Sequence, residues 1–403
     1  MSLPLWQVAL ATTILVQTAN SFLARMPAIL APDLTRALSV PPEAIGVLSA
    51  ATMAGSILFL VAGMPLILRT GPIRALQVGL ALGAAGCLML MLPLWGTALL
   101  GAFLMGLGYG PSAPAASNVL QRHAPAAHRN LVFSVKQAGV PLGGVIAGLL
   151  LPPLASADLG LAIAAAALAV AAAAFAAQGG RARIDTERHA GESLSLAAFL
   201  SRRNLLGPFR AVAASPGLLR IALSGCGFAI GQGAWFAFLV TYLVLEKGYD
   251  LALAGLVFAL TQVAGVFGRI GLGWLSDRLG SGLRTLRLLA VLSGATLAAT
   301  GLAGPWPFWA VGLFALLGGV TVSSWNGLVL AEIARFAAPG RIAEATSGGV
   351  LVTFLGYIVG PAGFAALLAA GLPWGAAFAA AGALVGAAAL LPIARLAEPR
   401  AAA

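Results

Sequence analysis

Charge is what this sequence has least of. Only 9% of its 403 residues are charged, where a soluble domain carries about 25%. A soluble fold with 60% hydrophobic residues and a mean hydropathy of +0.97 has no way to bury so much apolar surface, so lipid is the solvent for most of the chain. Cysteine is nearly absent. Cys87 and Cys226 each sit inside an apolar run, which excludes a disulfide framework and argues against a two-thiol metal site. The three histidines, His123, His128 and His189, fall in polar stretches. There is no HExxH motif, no Cys/His cluster and no phosphate-binding loop, so neither a metal enzyme nor ATP as energy source is expected. Acidic residues are missing from the deep part of every apolar segment, and an intramembrane enzyme would need an acid or base there. The expectation is a non-enzyme that needs no cofactor.

Long apolar runs are what the sequence does have. Read at about 20 residues per crossing, they predict helices near 5–30, 43–67, 73–93, 96–120, 130–153 and 157–178, then near 216–245, 250–272, 285–303, 306–334, 343–370 and 373–396. The first run is too long for the apolar core of a secretory signal and is read as a spanning helix. The runs show no period-2 alternation, which excludes membrane strands. The fold class is therefore an all-α membrane protein with twelve transmembrane helices in two six-helix bundles: residues 1–178, a linker over 179–215, and residues 216–403. A formal charge of +11 could point to nucleic acid, but the basic residues are dispersed between apolar runs, the pattern of membrane topology. With both termini placed in the cytoplasm, the inner loops and the tail carry 17 of the 23 basic residues, and the outer loops only Arg36 and Lys247. That asymmetry predicts a multi-pass protein of a bacterial-type inner membrane with both termini cytoplasmic; a monomer is expected, though the sequence does not itself give the oligomeric state. Asp185, Glu187, His189 and Glu192 stand among the arginines of the linker, which reads as a solvated segment against anionic lipid.

The halves repeat. Arg129 and Arg341 open corresponding helices, and Gly144-Val-Ile-Ala-Gly148 matches Gly356-Tyr-Ile-Val-Gly360, at one offset of 212 residues (341 − 129 and 356 − 144). Arg69-Thr-Gly71 likewise matches Arg278-Leu-Gly280. Such repeats put the substrate near the midplane, between the halves. The segment Gly273-Trp-Leu-Ser-Asp277-Arg278-Leu-Gly280 resembles the G-x-x-x-D-R-x-G loop signature of the major facilitator superfamily. In the first half Met64 replaces the glycine and Leu68 the aspartate, while Gln121 stands where the second half has Glu332. The resemblance implies a transporter working by alternating access, in which Asp277, Arg278 and Glu332 form a cytoplasmic latch.

Basic residues inside predicted helices demand compensation, because a charge at mid-bilayer costs about 2.5–3.5 kcal/mol. Arg220 lies near a helix start and snorkels inward. Arg269 stands in Gly268-Arg269-Ile-Gly-Leu-Gly273, a pattern similar to the eighth helix of oxalate–formate exchangers and monocarboxylate transporters. There, an Arg four residues before the glycine binds a carboxylate. Guanidinium suits that partner through its two-pronged donor geometry. Gln262 lies two turns earlier on the same face. Lys136, seven residues after Arg129, lies ~10 Å into the fifth predicted helix. Gln17, Asn20, Ser21 and Arg25 form a polar stripe on the first helix, which has to face a cavity or a partner helix. Arg25 could instead pair with Asp33 or Glu43. Of the aromatics Tyr109, Trp235, Tyr242, Trp325 and Tyr357, the last is kept as a cavity candidate together with Asn326.

These residues predict secondary transport of a small organic anion such as a mono- or dicarboxylate, with a small-molecule substrate and the bilayer as the only partners. Broad-specificity efflux of amphipathic compounds is the alternative, and a membrane receptor without transport is a third. Monocarboxylate transporters have an aspartate one turn before the arginine, and this chain has Gly265. The resemblance therefore implies anion exchange, facilitated diffusion, or symport in which the substrate brings the proton. The topology has its own test: a reporter fused at the C-terminus, or within 179–215, should be active only in its cytoplasmic form. A periplasmic signal from either position would overturn the assignment.

Overall fold

The computed structural model describes residues 4–396, apart from 126–131, 133–134, 186–187, 189–190, 192, 214, 302–305 and 338–341. No strand occurs among them. A backbone in hydrocarbon has no water to bond to and closes its hydrogen bonds within helices. The first half contains α1 (Leu5–Ile29), α2 (Ala31–Ala37), α3 (Ala44–Ala62), α4 (Met64–Thr70), α5 (Pro72–Met89), α6 (Trp95–Tyr109), α7 (Ser112–His123), α8 (Gly139–Ala157) and α9 (Leu159–Ala176). Three short helices follow: α10 (Gln178–Ile184), α11 (Leu196–Phe199) and α12 (Arg202–Ala213). The second half contains α13 (Pro216–Leu245), α14 (Leu251–Leu279), α15 (Gly282–Gly301), α16 (Phe308–Ser323), α17 (Asn326–Phe336), α18 (Ile342–Ala369) and α19 (Trp374–Leu390).

Among the described residues nine helices are long and apolar enough to cross a membrane, or ten when α1 and α2, bent by 64° at Leu30, count as one. The fourth predicted helix is divided between α6 and α7, and α19 is a shorter apolar helix at the place of the twelfth. The arrangement is consistent with twelve crossings. Three departures from the predicted runs have local causes. The second run stops at Ala62, because Pro65 in the first turn of α4 has no N–H to carry the helix through. The fourth is interrupted at Gly110-Pro111 for the same reason. The tenth is interrupted at Ser324 and Trp325, where the hydroxyls of Ser323 and Ser324 both donate to the carbonyl of Gly319, at 2.6 and 2.9 Å. Side chains that bond back to the preceding turn compete with the helical ladder.

The chain divides into two compact units, residues 1–41 with 51–205, and residues 42–50 with 206–403. In the first, α1 packs on α8, and α5 on α6 and α9. Gly143 lets α8 touch α1, since a side chain there would strike the carbonyl of Thr18. In the second, α13 packs on α18 and α15 on α19. Gly356 and Gly360 are the points of closest approach: a side chain at either would collide with the carbonyl of Cys226 or Ile230 on α13. Close backbone approach through small residues is how helices gain dispersion contact where lipid offers no hydrophobic driving force.

One linker residue departs from the solvated reading. Asp185 follows α10 and its side chain is only 5% exposed. Its two carboxylate oxygens accept the backbone N–H groups of Ile73 and Arg74, each at 2.9 Å, at the start of α5. Burial pushes its carboxyl up from the ordinary aspartate range, opposed by those two N–H donors and by the charges of Arg181 and Arg74. Gly71, with φ of +91°, makes the room: a side chain there would overlap the Asp185 carboxylate. The linker is anchored here because the first N–H groups of a helix have no internal acceptor and attract a negative charge. Asp185→Ala should weaken this end of α5 by ~1 kcal/mol, the worth of a lost helix cap. The check is limited trypsin digestion, with faster cleavage at Arg181 and Arg183 in Asp185→Ala than in the parent and an intermediate rate in Asp185→Asn.

Candidate functional site

In each half, polar side chains gather beside the interruption of one helix. In the first half the polar stripe of α1 is buried, with Gln17, Asn20 and Ser21 each almost wholly enclosed. It faces partner helices. Asn20 donates to the Ser112 hydroxyl at 2.7 Å and Gln17 to the Tyr109 hydroxyl at 3.3 Å. Ser21 donates to the Val140 carbonyl at 2.6 Å. Tyr109 and Ser112 flank the Gly110-Pro111 interruption, so the α6–α7 break and α1 are stitched together. Lys136 joins the same cluster. It is 4% exposed, and its ammonium donates to the Ser112 carbonyl at 3.4 Å and to Gln137 Oε1 at 3.2 Å. Both partners are neutral, and no carboxylate among the described residues lies within ion-pair distance of it.

Arg25 is half-buried one turn beyond Ser21. Asp33, one of its two expected partners, is engaged by Arg36 at 2.8 Å. Arg129 and Arg341, the matched helix openings, lie outside the described residues.

The second half repeats the design with different chemistry. Gln232 on α13 is buried, and its Oε1 accepts the Tyr357 hydroxyl at 2.7 Å and the Asn326 amide at 3.3 Å. Asn326 opens α17 just past the interruption, and Trp325 before it stacks on Phe228 with centroids 5.5 Å apart. Helix α14 approaches from the other side. The Ser324 hydroxyl lies 3.3 Å from the Gly265 carbonyl, and Gly268 is in contact with Ser324. Arg269, next in the chain, is half-buried beside this seam. Gln262 is buried and its amide nitrogen has no hydrogen-bond partner among the described residues. The sequence pattern pointed to Asn326, Tyr357 and Gln262 but missed Gln232, the acceptor that unites the first two. The signal was present: Gln232 stands 212 residues after Asn20 (232 − 20), the offset of the repeat, and Ser324 stands 212 after Ser112 (324 − 112).

Of the expected latch, the side chains of Glu332 and Arg278 are among the described ones. Glu332 is buried and bonded by Arg335 at 2.7 and 3.0 Å, with its carboxylate packed on Gly282 at the start of α15. The Arg278 guanidinium is exposed and lies 5.3 Å over the Trp274 ring. Arg335 sits one turn from Glu332 on the same helix, whereas Arg278 ends α14 in solvent. The Asp277 side chain lies outside the described residues.

The family model of the Major Facilitator Superfamily matches residues 13–361. The chain belongs to that superfamily. Its apolar helices make it a multi-pass membrane protein. An uncharacterised superfamily transporter of Mycobacterium tuberculosis (strain CDC 1551 / Oshkosh) is 28% identical over 286 residues, covering 70% of this chain and 61% of the relative's length. Among solved structures, a variant of the nucleoside transporter NupG superposes with a TM-score of 0.78 at 12% identity, over 97% of this chain and all of that one. A bacterial homologue of the human lysosomal transporter Spinster gives 0.74 at 15% identity, covering 98% and 96% of the two chains. The peptide transporter POT gives 0.73 at 16% identity and covers 98% of each. These likenesses establish the superfamily fold, and the transporters sharing it handle chemically unlike cargo.

The second-half cluster generates a graded expectation. Tyr357→Phe removes one hydrogen bond and should cost about 0.5–1.5 kcal/mol, whereas Gln232→Leu strips the acceptor from two donors and should cost about 1–3 kcal/mol for each left unsatisfied. Thermal unfolding in detergent should rank the parent above Tyr357→Phe and Tyr357→Phe above Gln232→Leu. The reverse order for the two variants would remove Gln232 from the centre of the cluster.

Proposed function

We propose that this superfamily transporter moves a small organic anion, a mono- or dicarboxylate, by alternating access. One observation carries the reading: Lys136 is buried, and among the described residues its ammonium meets only neutral oxygens. A buried ammonium held by a carbonyl and an amide has lost most of its hydration with no opposite charge to offset it. An anionic substrate supplies that charge when it binds, and its affinity draws on the relief. The surrounding groups suit a carboxylate, since Asn20, Gln17 and Ser112 offer donors one helical turn apart. In the second half, Arg269 follows the pattern that resembles carboxylate exchangers, and Gln262 contributes an amide donor that has no partner among the described residues. Gly265 in place of an aspartate leaves the eighth crossing without a carboxylate at that turn, which favours exchange, facilitated diffusion, or entry of the substrate with its own proton. Glu332, seated on the first turn of α15, serves as the fixed half of a cytoplasmic latch.

Binding of a carboxylate panel to purified parent and variant protein, followed by thermal shift, tests the proposal, because a ligand of the folded state raises its stability. Lys136→Gln and Arg269→Gln should each weaken the best anion by about 1.5–3 kcal/mol, the range of a hydrogen bond to a charged group. Arg269→Lys should not restore it, because a point charge lacks the forked geometry. Unchanged affinity in both glutamine variants, for an anion the parent does bind, would overturn the anion site in favour of broad-specificity efflux.

A further inference from the structure

The cluster beside the α6–α7 break holds three donor protons that no described residue accepts. Gln17 and Asn20, three apart on α1, donate to the hydroxyls of Tyr109 at 3.3 Å and Ser112 at 2.7 Å. A hydroxyl has one proton and two lone pairs. One that accepts an amide N–H turns its own proton elsewhere, and among the described residues neither proton finds an acceptor. The third proton is on Lys136. Two of its three N–H groups go to the Ser112 carbonyl and to Gln137 Oε1, and the last has no acceptor among the described residues. Ser112 and Lys136 are buried and Tyr109 is half-buried. An unmet buried donor costs about 1–3 kcal/mol, and more when charged, so three in one place call for an acceptor from outside the chain.

These donors converge. Tyr109 and Ser112 are tied to neighbouring positions on one face of α1, and the Ser112 carbonyl holds the Lys136 ammonium. The start of α8 adjoins them, since a side chain at Gly139, three residues after Lys136, would lie 3.2 Å from the Gln17 side chain. Positions three apart on a helix are separated by ~5–6 Å. That is about twice the ~2.7 Å of a hydrogen bond from a hydroxyl to a carboxylate, so one carboxyl group reaches both hydroxyls. Its two oxygens have about four acceptor sites, enough for the ammonium as well.

The cluster also has two acceptors to spend. Gln17 Oε1 and Asn20 Oδ1 receive no donor from the described residues. A plain carboxylate would leave both facing its own oxygens, whereas a ligand with a donor of its own satisfies one of them. The oxygen and nitrogen of an amide share one carbon, so each acceptor lies beside the hydroxyl that its own nitrogen bonds. The ligand's donor therefore belongs on the carbon next to its carboxylate.

We infer that this cluster binds a short 2-hydroxycarboxylate. The carboxylate sits on Lys136 and the hydroxyls of Tyr109 and Ser112, and the 2-hydroxyl donates to the amide oxygen of Gln17 or Asn20. The inference rests on the anion reading of Lys136 given above and narrows its ligand.

Glycolate is the probe, titrated into the purified full-length protein and followed by thermal shift and calorimetry. Saturable binding is expected. Acetate, which lacks the hydroxyl, and methoxyacetate, which keeps the oxygen and loses the proton, should each bind at least ~5-fold more weakly, the worth of one net hydrogen bond. Tyr109→Phe and Ser112→Ala should each weaken glycolate ~10-fold, as for loss of a hydrogen bond to a charged group. Ser112→Thr, which keeps a hydroxyl, should hold the parent affinity, and Tyr109→Phe carries the test if Ser112→Ala fails to fold. Lys136→Gln separates this inference from the reading beneath it. If Lys136→Gln weakens glycolate but Tyr109→Phe does not, or if acetate or methoxyacetate binds the parent as well as glycolate does, the 2-hydroxycarboxylate inference is overturned and the anion site stands. Unchanged glycolate affinity in Lys136→Gln overturns both. No saturable binding of glycolate to the parent overturns the inference, whatever other carboxylates bind.

Discussion

In hydrocarbon, every polar group of the chain has to find its partner inside the protein. The rest of this structure follows from that constraint. It turns the apolar runs into helices, because only a helix closes its own backbone hydrogen bonds. It gathers many of the polar side chains within those runs into clusters of hydrogen-bonded neighbours. It also makes the helix interruptions costly unless side chains bond their backbone: Lys136 reaches the Ser112 carbonyl in the first half, and Asn326 the Ser323 carbonyl in the second. Glycines at the contacts serve the same end. Where Gly143 or Gly360 removes a side chain, two helices come close enough for a hydroxyl such as Ser21 to meet a carbonyl on the next helix.

The crossings were legible because a run of about 20 apolar residues matches the thickness of a bilayer, and a helix in a soluble core is seldom apolar for so long. The polar stripe of α1 was legible too, since Gln17, Asn20 and Ser21 stand out against their surroundings and share one face. The interruptions were not. Gly110-Pro111 and Ser323-Ser324 are small and apolar enough to disappear inside a hydropathy window, and their effect depends on where hydroxyls and missing N–H groups fall in three dimensions. Gln232 could have been found by carrying Asn20 forward through the repeat. Asp185 could not: its partners lie at Ile73 and Arg74, more than a hundred residues back, and nothing local separates it from the other charges of the linker. Glu332 stood out as an acid at the inner end of its run, and Arg335, one turn away, pairs with it.

The two halves place different chemistry on one scaffold. Beside the first interruption stands an ammonium among amides and hydroxyls; beside the second, an amide accepts from a phenol and another amide.

Asp185 also bears on where the chain can be divided. The start of α5 depends on a carboxylate that arrives only after α9 and α10 have been completed. A first half severed at residue 178 would therefore enter the membrane with the opening N–H groups of its third crossing uncapped. One severed beyond residue 185 would carry its own cap. For co-expression of the halves as separate chains, the joint that lets each bundle fold by itself lies inside the polar segment, past the aspartate, and not at its border with the last crossing of the first half.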